Sequence, residues 1–303
     1  MENHAQPLVS VVVATNRVGP YLREALESVA AQTWPRIEVV VVDDGSPEPD
    51  AVESAARVVA GARVLHIPAS GVAVARNIGV AATTGEYLVF LDDDDRWRPE
   101  RIERHLAAMA DAPDVVVTYC GMQTIDSAGE KVLVPADQVQ VASRLDVARR
   151  RTGIILPNVV MRRDAFFTVG GFHSRLRLAQ DFDLILRLAE YGDFLFVPET
   201  LVDYRASTQN VTRRYRELTA FIRQILTVHE LSASARGDAE LSAALQESLR
   251  KNDRFAWWSA GRAAKASLGE RKPAAAFGAM WWALRTAPSG LFDGLRRRIT
   301  GDR

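Results

Sequence analysis

The first hundred residues alternate between short apolar runs and segments with helical spacing. Runs rich in Val and Ile predict buried strands, and the segments between them predict helices. The strands are expected at residues 8–13, 37–42, 64–67 and 87–91, and the helices at residues 21–31, 51–60 and 72–82. Apolar strands separated by helices are typical of a parallel sheet covered on both faces. The pattern therefore predicts an α/β fold with a mostly parallel sheet.

The rest of the chain is less regular until it becomes helical. Further elements are expected as a helix at 100–111, a strand at 114–120, a strand at 154–161 and a helix at 181–191, with an irregular stretch at 121–152. After Tyr204 the chain is almost entirely helical, and residues 255–287 resemble a helical hairpin broken by Gly269 and Pro273. We divide the chain into regions 1–110, 111–210 and 211–303.

Polar residues follow three of the early strands directly. These segments are residues 14–16, 43–46 and 92–95. Ligands of open parallel sheets bind outside the carboxyl ends of the strands. We therefore expect the three segments to meet along one rim and to form a site.

The four aspartates at 92–95 are the clearest chemical signal of this rim. Burying unpaired carboxylates costs several kcal/mol each, so a cation should neutralise them. An oxygen-only ligand set suits Mg²⁺ or Mn²⁺, and alternation in an extended segment places Asp92 and Asp94 on one face. The alternative is a solvated acidic turn that caps the next helix. Asp95 is expected only to cap the turn that follows.

Asp43, Asp44 and Arg76 each have a functional and a structural interpretation. Asp43 or Asp44 would accept a hydrogen bond from a nucleotide base or a ribose hydroxyl, or would cap a helix that begins near Asp50. Arg76 would neutralise a diphosphate, or would be a surface arginine paired with nearby acids.

Asp181 lies at the start of the helix expected at 181–191. It is either a general base that faces an acceptor hydroxyl or a first-turn acid stabilised by the helix dipole. The local sequence alone favours the second interpretation.

Several enzyme classes are excluded by missing motifs. The chain has neither a Gly-x-Gly-x-x-Gly after a strand nor a Walker loop, which argues against dehydrogenases and P-loop enzymes. Its five histidines are scattered without a cysteine cluster, which argues against zinc. No Gly-x-Ser-x-Gly elbow is present for a serine hydrolase.

Charge divides the chain although its net charge is zero. Residues 211–303 hold 17 Lys and Arg against 9 Asp and Glu, and residues 1–210 hold 21 against 29. The basic, tryptophan-rich tail, with Arg296, Arg297 and Arg298, suggests either a peripheral membrane contact or a dimer contact. Core packing is the more common role of such tryptophans. We expect no nucleic acid partner.

The localisation expected from the sequence is cytoplasmic, at most peripheral to the inner face of the membrane. A single cysteine, Cys120, excludes an internal disulfide framework. The first residues lack the pattern of a signal peptide. The longest uncharged apolar stretch near the tail, residues 273–284, is 12 residues long, whereas a membrane span needs about 20.

Taken together and in order, these motifs resemble the inverting family 2 glycosyltransferases, which have the GT-A fold. The resemblance rests on residues 9–17, 41–46, 71–79, 85–95, 170–172, 180–184 and 198–205. It implies a Rossmann-like nucleotide-binding sheet, with region 1–110 as the nucleotide-sugar half, region 111–210 as the acceptor half and region 211–303 as a helical extension.

The resemblance also implies the reaction. A sugar would pass with inversion from a nucleotide-diphosphate donor to an acceptor hydroxyl. A UDP-sugar is favoured as donor over a dTDP- or GDP-sugar, and the acceptor would be a glycan, a lipid-linked molecule or a small molecule. Mg²⁺ or Mn²⁺ would assist. The alternative is a catalytically silent nucleotide-binding scaffold of a biosynthetic complex.

Residue by residue, the resemblance assigns roles along the rim. Donor contacts fall on Ala14, Thr15, Asn16, Asp43, Asp44, Arg76, Asp92 and Asp93. Asp94 would be the main metal ligand, with Asp92, and Asp181 would be the catalytic base. The chain departs from the family in three places: no Tyr stands between Thr15 and Asn16, Gln180 replaces a Glu, and Ser207 replaces a His.

Overall fold

The computed structural model describes residues 6–206 and 214–290, which fall into two compact units. The first unit comprises residues 1–147 and 151–207, and the second comprises residues 148–150 and 208–303. Ser207 and the arginines at 296–298 lie outside the described residues. The division of the α/β part into a donor half and an acceptor half stays a prediction.

One mixed sheet forms the centre of the first unit. Within the described residues its strands are β1 (Val9–Thr15), β2 (Ile37–Asp44), β3 (Arg63–Ile67), β4 (Tyr87–Asp92), β5 (Arg96–Trp97), β6 (Val115–Ile125), β7 (Val132–Val134), β8 (Val159–Arg162) and β9 (Asp193–Arg205). Their order is β3-β2-β1-β4-β8-β6-β9-β5, and β7 pairs with β6. Strands β1 to β4 run parallel, as do β6 and β9, whereas β8, β5 and β7 pair antiparallel. The predicted α/β architecture is confirmed.

Helices cover the sheet and make up the second unit. The helices of the first unit are α1 (Leu22–Ala30), α2 (Pro49–Ala56), α3 (Val72–Ala81), α4 (Arg101–Ala110), α5 (Arg144–Ala148), whose last residue belongs to the second unit, α6 (Arg163–Thr168) and α7 (Gln180–Tyr191). The second unit contains α8 (Tyr215–Ala235), α9 (Ala239–Gly269) and α10 (Pro273–Thr286). The helical extension is confirmed, and the hairpin breaks between Gly269 and Pro273 as predicted. None of the described helices is both long and apolar enough to cross a membrane.

Strand β1 shows why the central strands carry continuous apolar runs. Val11 and Val13 pack in one core cluster with α1, α2 and α4, while Val12 packs in a second cluster with α3, α6 and α7. Alternate side chains of a strand point to opposite faces, so a strand covered on both faces needs apolar residues at every position.

The contact between α3 and the sheet depends on Gly79, and this gives a stability prediction. A Cβ atom at this position would lie 2.4 Å from Val12 Cγ1 and 3.1 Å from Val42 Cγ2. Gly79→Ala should therefore lower the free energy of unfolding by about 1–3 kcal/mol through overpacking, measured by denaturant titration. The control is Gly261→Ala in α9, where a Cβ would meet nothing within 4 Å. That variant should be neutral or slightly more stable, because alanine is the better helix former.

The strand predicted at 154–161 is wrong in its first half. Leu156–Asn158 form a 3₁₀ turn, and β8 begins only at Val159. Pro157 has no N–H to donate to a sheet. The buried Asn158 side chain instead donates to the Cys120 carbonyl at 2.9 Å and accepts from the Ile155 N–H at 3.0 Å, so this segment satisfies its polar groups locally.

Three strands were not predicted from the sequence pattern. β9 and the two-residue β5 were not predicted, and β7 lies in the stretch expected to be irregular. β6 also continues to Ile125, beyond the predicted end at 120. β9 is interrupted around Glu199, where its register against β6 shifts beside Gly121, so its apolar pattern is broken and no strand period is visible.

Candidate active site

The ends of β1, β2 and β4 meet at one edge of the sheet. In the strand register Thr15 stands beside Asp43, and Ala14 stands beside Asp92. Asn16, the next residue, is exposed. The rim expected from the polar strand ends therefore exists, and the four aspartates lie in it.

Asp92 is neutralised by an arginine from the neighbouring helix α3. Arg76 Nη2 lies 2.5 Å from Asp92 Oδ1, and the arginine is only 6% exposed. Its guanidinium carbon also lies 5.7 Å from the centre of the Phe172 ring. Arg76 is thus neither a surface arginine nor an isolated cation; it belongs to the rim.

Asp93 is bound by the hydroxyl of Thr15. The distance from Thr15 Oγ1 to Asp93 Oδ2 is 2.6 Å, and the same hydroxyl lies 2.6 Å from the Arg17 carbonyl. One hydroxyl proton serves only one acceptor at a time. Burial raises the pKa of Asp93, and a protonated Asp93 would donate to Thr15 and leave the hydroxyl proton to the Arg17 carbonyl.

Asp94 has the least favourable electrostatic environment of the three outer aspartates. Burial, together with the negative charges of Asp92 and Asp93, raises the pKa of Asp94 to about 6. A carboxylate repelled by two neighbours gains from an added cation. The residues present fit a divalent ion of the kind that is held by one or two carboxylates and completed by substrate phosphates and water. They do not fit an all-protein cage, since no three His, Cys, Asp or Glu side chains cluster as metal ligands within 6–206 and 214–290.

Asp95 differs from the other three because it is buried beneath the rim. It is 1% exposed, and its Oδ1 accepts the backbone N–H of Arg205 at 2.8 Å. Its Oδ2 has no hydrogen-bond partner. Burial, with the charges of Asp92 and Asp94, raises the pKa of Asp95 well above its ordinary value. The expectation that Asp95 only caps the following turn was wrong, because the end of β9 supplies its partner.

Arg205 stabilises the acidic turn at residues 92–95 from the protein interior. It is 1% exposed, its Nε donates to the Asp94 carbonyl at 2.9 Å, and its Nη2 lies 2.7 Å from Glu24 Oε2 on α1. Its guanidinium carbon lies 4.2 Å from the centre of the Tyr21 ring. Arg205 ends one of the motifs that carry the family resemblance, but the sequence assigned it no role. A charged residue at the end of an unpredicted strand offers no sequence signal that it is buried.

Tyr204, the preceding residue, also belongs to this site. Burial and the nearby charges, that of Asp95 first, raise the pKa of Tyr204. The phenol therefore keeps its proton at neutral pH, and it stands as a potential hydrogen-bond donor at the rim. This residue too was assigned no role from the sequence.

Asp44 fixes the start of helix α3. Its two carboxylate oxygens accept the backbone N–H groups of Ser70 and Gly71, at 2.6 and 2.8 Å. These N–H groups lie on the two residues that precede α3. Asp44 therefore holds the turn that leads into α3, the helix that carries Arg76, and does not cap the helix that begins near Asp50.

Asp43 holds the turn that follows β2. Its Oδ1 accepts the Ser46 N–H at 2.7 Å, and its Oδ2 lies 2.8 Å from His66 Nδ1. The hydrogen bond with Asp43, and then that with Glu53, raises the pKa of His66. The turn requires Gly45, whose φ is +76° and whose added Cβ would lie 2.8 Å from the Ala69 nitrogen.

Asp181 lies at the start of helix α7 in the first unit. It is the second residue of α7, which follows Ala179 in the left-handed region at φ 56°. Burial raises the pKa of Asp181, while the Arg76 cation lowers it and the Asp92 charge raises it again. The structure therefore brings Asp181 close to the Arg76–Asp92 pair.

Asp183, two residues later, has a structural environment. Its Oδ2 lies 2.7 Å from Arg187 Nη2 and 3.0 Å from His173 Nδ1. Gln180, which stands where the family commonly has Glu, is buried, and its Oε1 has no partner. Of the polar residues in this turn, Asp181 is thus the carboxylate near the rim.

The loop before α7 is fixed to α3 by Asn77. The Asn77 side chain donates to the Phe172 carbonyl at 2.8 Å and accepts the Phe172 N–H at 3.0 Å. Gly171 has φ +65°, and an added Cβ would lie 3.0 Å from Asn77 Oδ1. This double hydrogen bond explains the Gly-Gly-Phe motif, because it sets the start of the loop that leads to Asp181.

Comparison with known proteins finds a family model and sequence relatives. The sequence profile described as Glycosyl transferase family 2 matches residues 10–173. An uncharacterized glycosyltransferase of Rickettsia prowazekii is 28% identical over 250 residues, which cover 76% of each chain. Another, from Haemophilus influenzae, is 27% identical and covers 62% of this chain and 64% of its own.

Two groups of solved structures share the fold. A fragment of S. aureus TarS in complex with UDP-GlcNAc superposes with a TM-score of 0.64 at 17% identity and covers 90% of each chain. The mannosyltransferase PcManGT of Pyrobaculum calidifontis, in complex with GDP-Man and Mn²⁺, superposes with a TM-score of 0.63 at 19% identity and covers 96% of this chain and 88% of its own. The fold is the GT-A fold that the sequence resemblance implied.

Proposed function

This chain belongs to glycosyl transferase family 2, and from that premise we propose that it moves a sugar, with inversion, from a nucleotide-diphosphate donor to an acceptor hydroxyl. The observation that carries the proposal is the meeting of Asp181 with the Arg76–Asp92 pair at the strand ends. A base candidate, a cation and an acidic turn therefore share one rim, which is the arrangement that a displacement at a diphosphate requires.

The donor in this proposal is a nucleotide-diphosphate sugar, with UDP favoured over GDP and dTDP. Among proteins of this fold, TarS is solved with UDP-GlcNAc and PcManGT with GDP-Man. The base would pack against the backbone of Ala14 and Thr15. Asp43 and Asp44 each hold two protein partners already, but a carboxylate offers about four acceptor positions, so a base N–H can still be bound.

The metal in this proposal is Mg²⁺ or Mn²⁺, held mainly by Asp94 and by Asp92. When bound, the ion would neutralise charge on the departing diphosphate. Asp92 is shared with Arg76 in this arrangement, so the guanidinium stands beside the bound diphosphate and adds a second positive charge. Asp92 and Asp93 are the candidates for the ribose hydroxyls.

Asp181 is the general base of the proposed reaction. Its carboxylate would take the proton of the acceptor hydroxyl as that oxygen attacks the anomeric carbon from the side opposite the diphosphate. One displacement of this kind inverts the anomeric centre. The raised pKa of Asp181 brings the group nearer to the pKa at which a base works best at neutral pH.

A screen of donors by thermal shift tests the proposal. UDP, GDP and dTDP sugars are each added with and without Mn²⁺, and the preferred donor at a hundred times its Kd should stabilise the protein by about 2.7 kcal/mol. Absence of a shift with every nucleotide would contradict the proposal. A donor that binds but is never hydrolysed or transferred would identify the chain as a silent nucleotide-binding scaffold.

A further inference from the structure

The helical hairpin of the second unit exposes a stripe of large apolar side chains. Phe277, Trp281 and Leu284 on α10 are 70%, 49% and 43% exposed. They follow one another at spacings of four and three residues, which places them on one face of the helix. The rings of Phe277 and Trp281 stack with centroids 6.2 Å apart and an angle of 11° between planes. We call these three residues the α10 stripe.

The α10 stripe takes no part in the packing of the hairpin. Ala276 and Ala279, on another face of α10, pack in a cluster with Ala264 of α9. Ala283 is buried as well. Small residues therefore make this helix contact, whereas the side chains of the α10 stripe are exposed. Exposed apolar groups of this size and continuity mark interaction sites more often than ordinary surface.

The α9–α10 hairpin carries an excess of positive charge. Residues 239–286 contain eight Lys and Arg against four Asp and Glu, and one of these acids, Glu270, pairs with Lys272 in the connecting turn. On α9, Trp258 is 59% exposed, and the guanidinium carbon of Arg262 lies 3.5 Å from the centre of its ring. The hairpin thus combines exposed aromatic rings with an excess of basic over acidic residues.

We propose that the α9–α10 hairpin docks on the surface of an anionic lipid bilayer. Aromatic side chains favour the headgroup region, where one part of the ring is apolar and another is wet. Lys and Arg beside them bind anionic headgroups. This inference goes beyond the proposed glycosyl transfer and does not depend on it.

Vesicle co-sedimentation of the full chain tests the proposal. Vesicles of phosphatidylcholine and phosphatidylglycerol in equal amounts should bind the protein, and vesicles of phosphatidylcholine alone should bind it weakly. The double variant Phe277→Ser/Trp281→Ser should lose about tenfold or more of the partitioning, because each large side chain buried in the interface contributes strongly. Arg262→Glu/Lys265→Glu should lose a similar factor on the anionic vesicles.

The matched control is Val228→Ser/Leu231→Ser on α8, where the two side chains are 60% and 61% exposed. It removes exposed apolar surface from the same unit and should leave partitioning unchanged. All variants change exposed residues, so their melting temperatures and donor-induced thermal shifts should match those of the wild type.

Three results would overturn the proposal. The first is a wild type that does not sediment with anionic vesicles. The second is equal partitioning of the stripe variant and the α8 control. The third is a sedimentation-velocity experiment without lipid in which the stripe variant turns a dimer into a monomer while vesicle binding is unchanged, which would identify the stripe as a contact between copies.

Discussion

Asp181→Asn should lower kcat by about 10²- to 10⁴-fold, the usual contribution of a general base. Asparagine keeps the shape of the side chain but cannot accept the proton of the acceptor hydroxyl. Donor binding should persist, because the predicted donor contacts lie on the strand ends and on α3. The measurement pairs initial rates of sugar transfer with donor-induced thermal shifts.

The pH dependence of the same variant gives a second readout. A base works only when it is deprotonated, so the rate of the wild type should fall as the pH falls through the pKa of Asp181. Burial raises that pKa above 3.8, so the acid limb of kcat/KM should lie at higher pH than for an ordinary aspartate. Asp181→Asn should lack this limb.

The control for this prediction is Asp183→Asn on the same helix. Asp183 is paired with Arg187 and His173, so its replacement should lower the melting temperature and leave kcat close to that of the wild type. Near-normal turnover by Asp181→Asn, or an equal loss of kcat in both variants, would reject Asp181 as the base.

Asp94→Asn should remove the response of the enzyme to added Mn²⁺ or Mg²⁺ and lower kcat/KM by about 10²- to 10³-fold. A bound divalent ion contributes several kcal/mol of charge stabilisation at the diphosphate, and each 1.36 kcal/mol corresponds to about a factor of ten. The measurement is a metal titration of rate and of thermal stability in the presence of donor.

Asp95→Asn is the matched control, because it makes the same substitution of amide for carboxylate at the neighbouring aspartate. Asp95 is buried beneath the rim and accepts the Arg205 N–H, which the amide oxygen of asparagine can also accept, so its replacement should change neither the metal titration nor the rate by more than a small factor. A metal titration of Asp94→Asn that overlays that of the wild type would exclude Asp94 as a ligand.

The rim was predictable because it depends on local patterns. The apolar runs of β1, β2 and β4 are continuous, and each is followed at once by polar residues. Parallel pairing then brings those ends together whatever the connecting helices contain. The same reasoning could not find β9, because its pattern is interrupted where its register against β6 shifts.

The different partners of the four aspartates could not be predicted from the segment that contains them. Asp93 binds Thr15, Asp92 binds Arg76, and Asp95 accepts from Arg205. These partners lie 78, 16 and 110 residues away in sequence. Alternation along the segment separated Asp92 and Asp94 from their neighbours, but local propensity has no access to these distant partners.

The distribution of these partners over β1, α3 and β9 has a consequence for mutational scans of this protein. Replacing Arg205 would disturb the acidic turn although this residue holds no ion, and an activity assay would record the loss as that of a ligand. A scan scored by catalysis alone would therefore assign too many residues to the proposed metal site. Measuring protein abundance as well would separate the two groups, since replacing a residue that shapes the turn lowers both abundance and activity, whereas replacing a ligand lowers only activity.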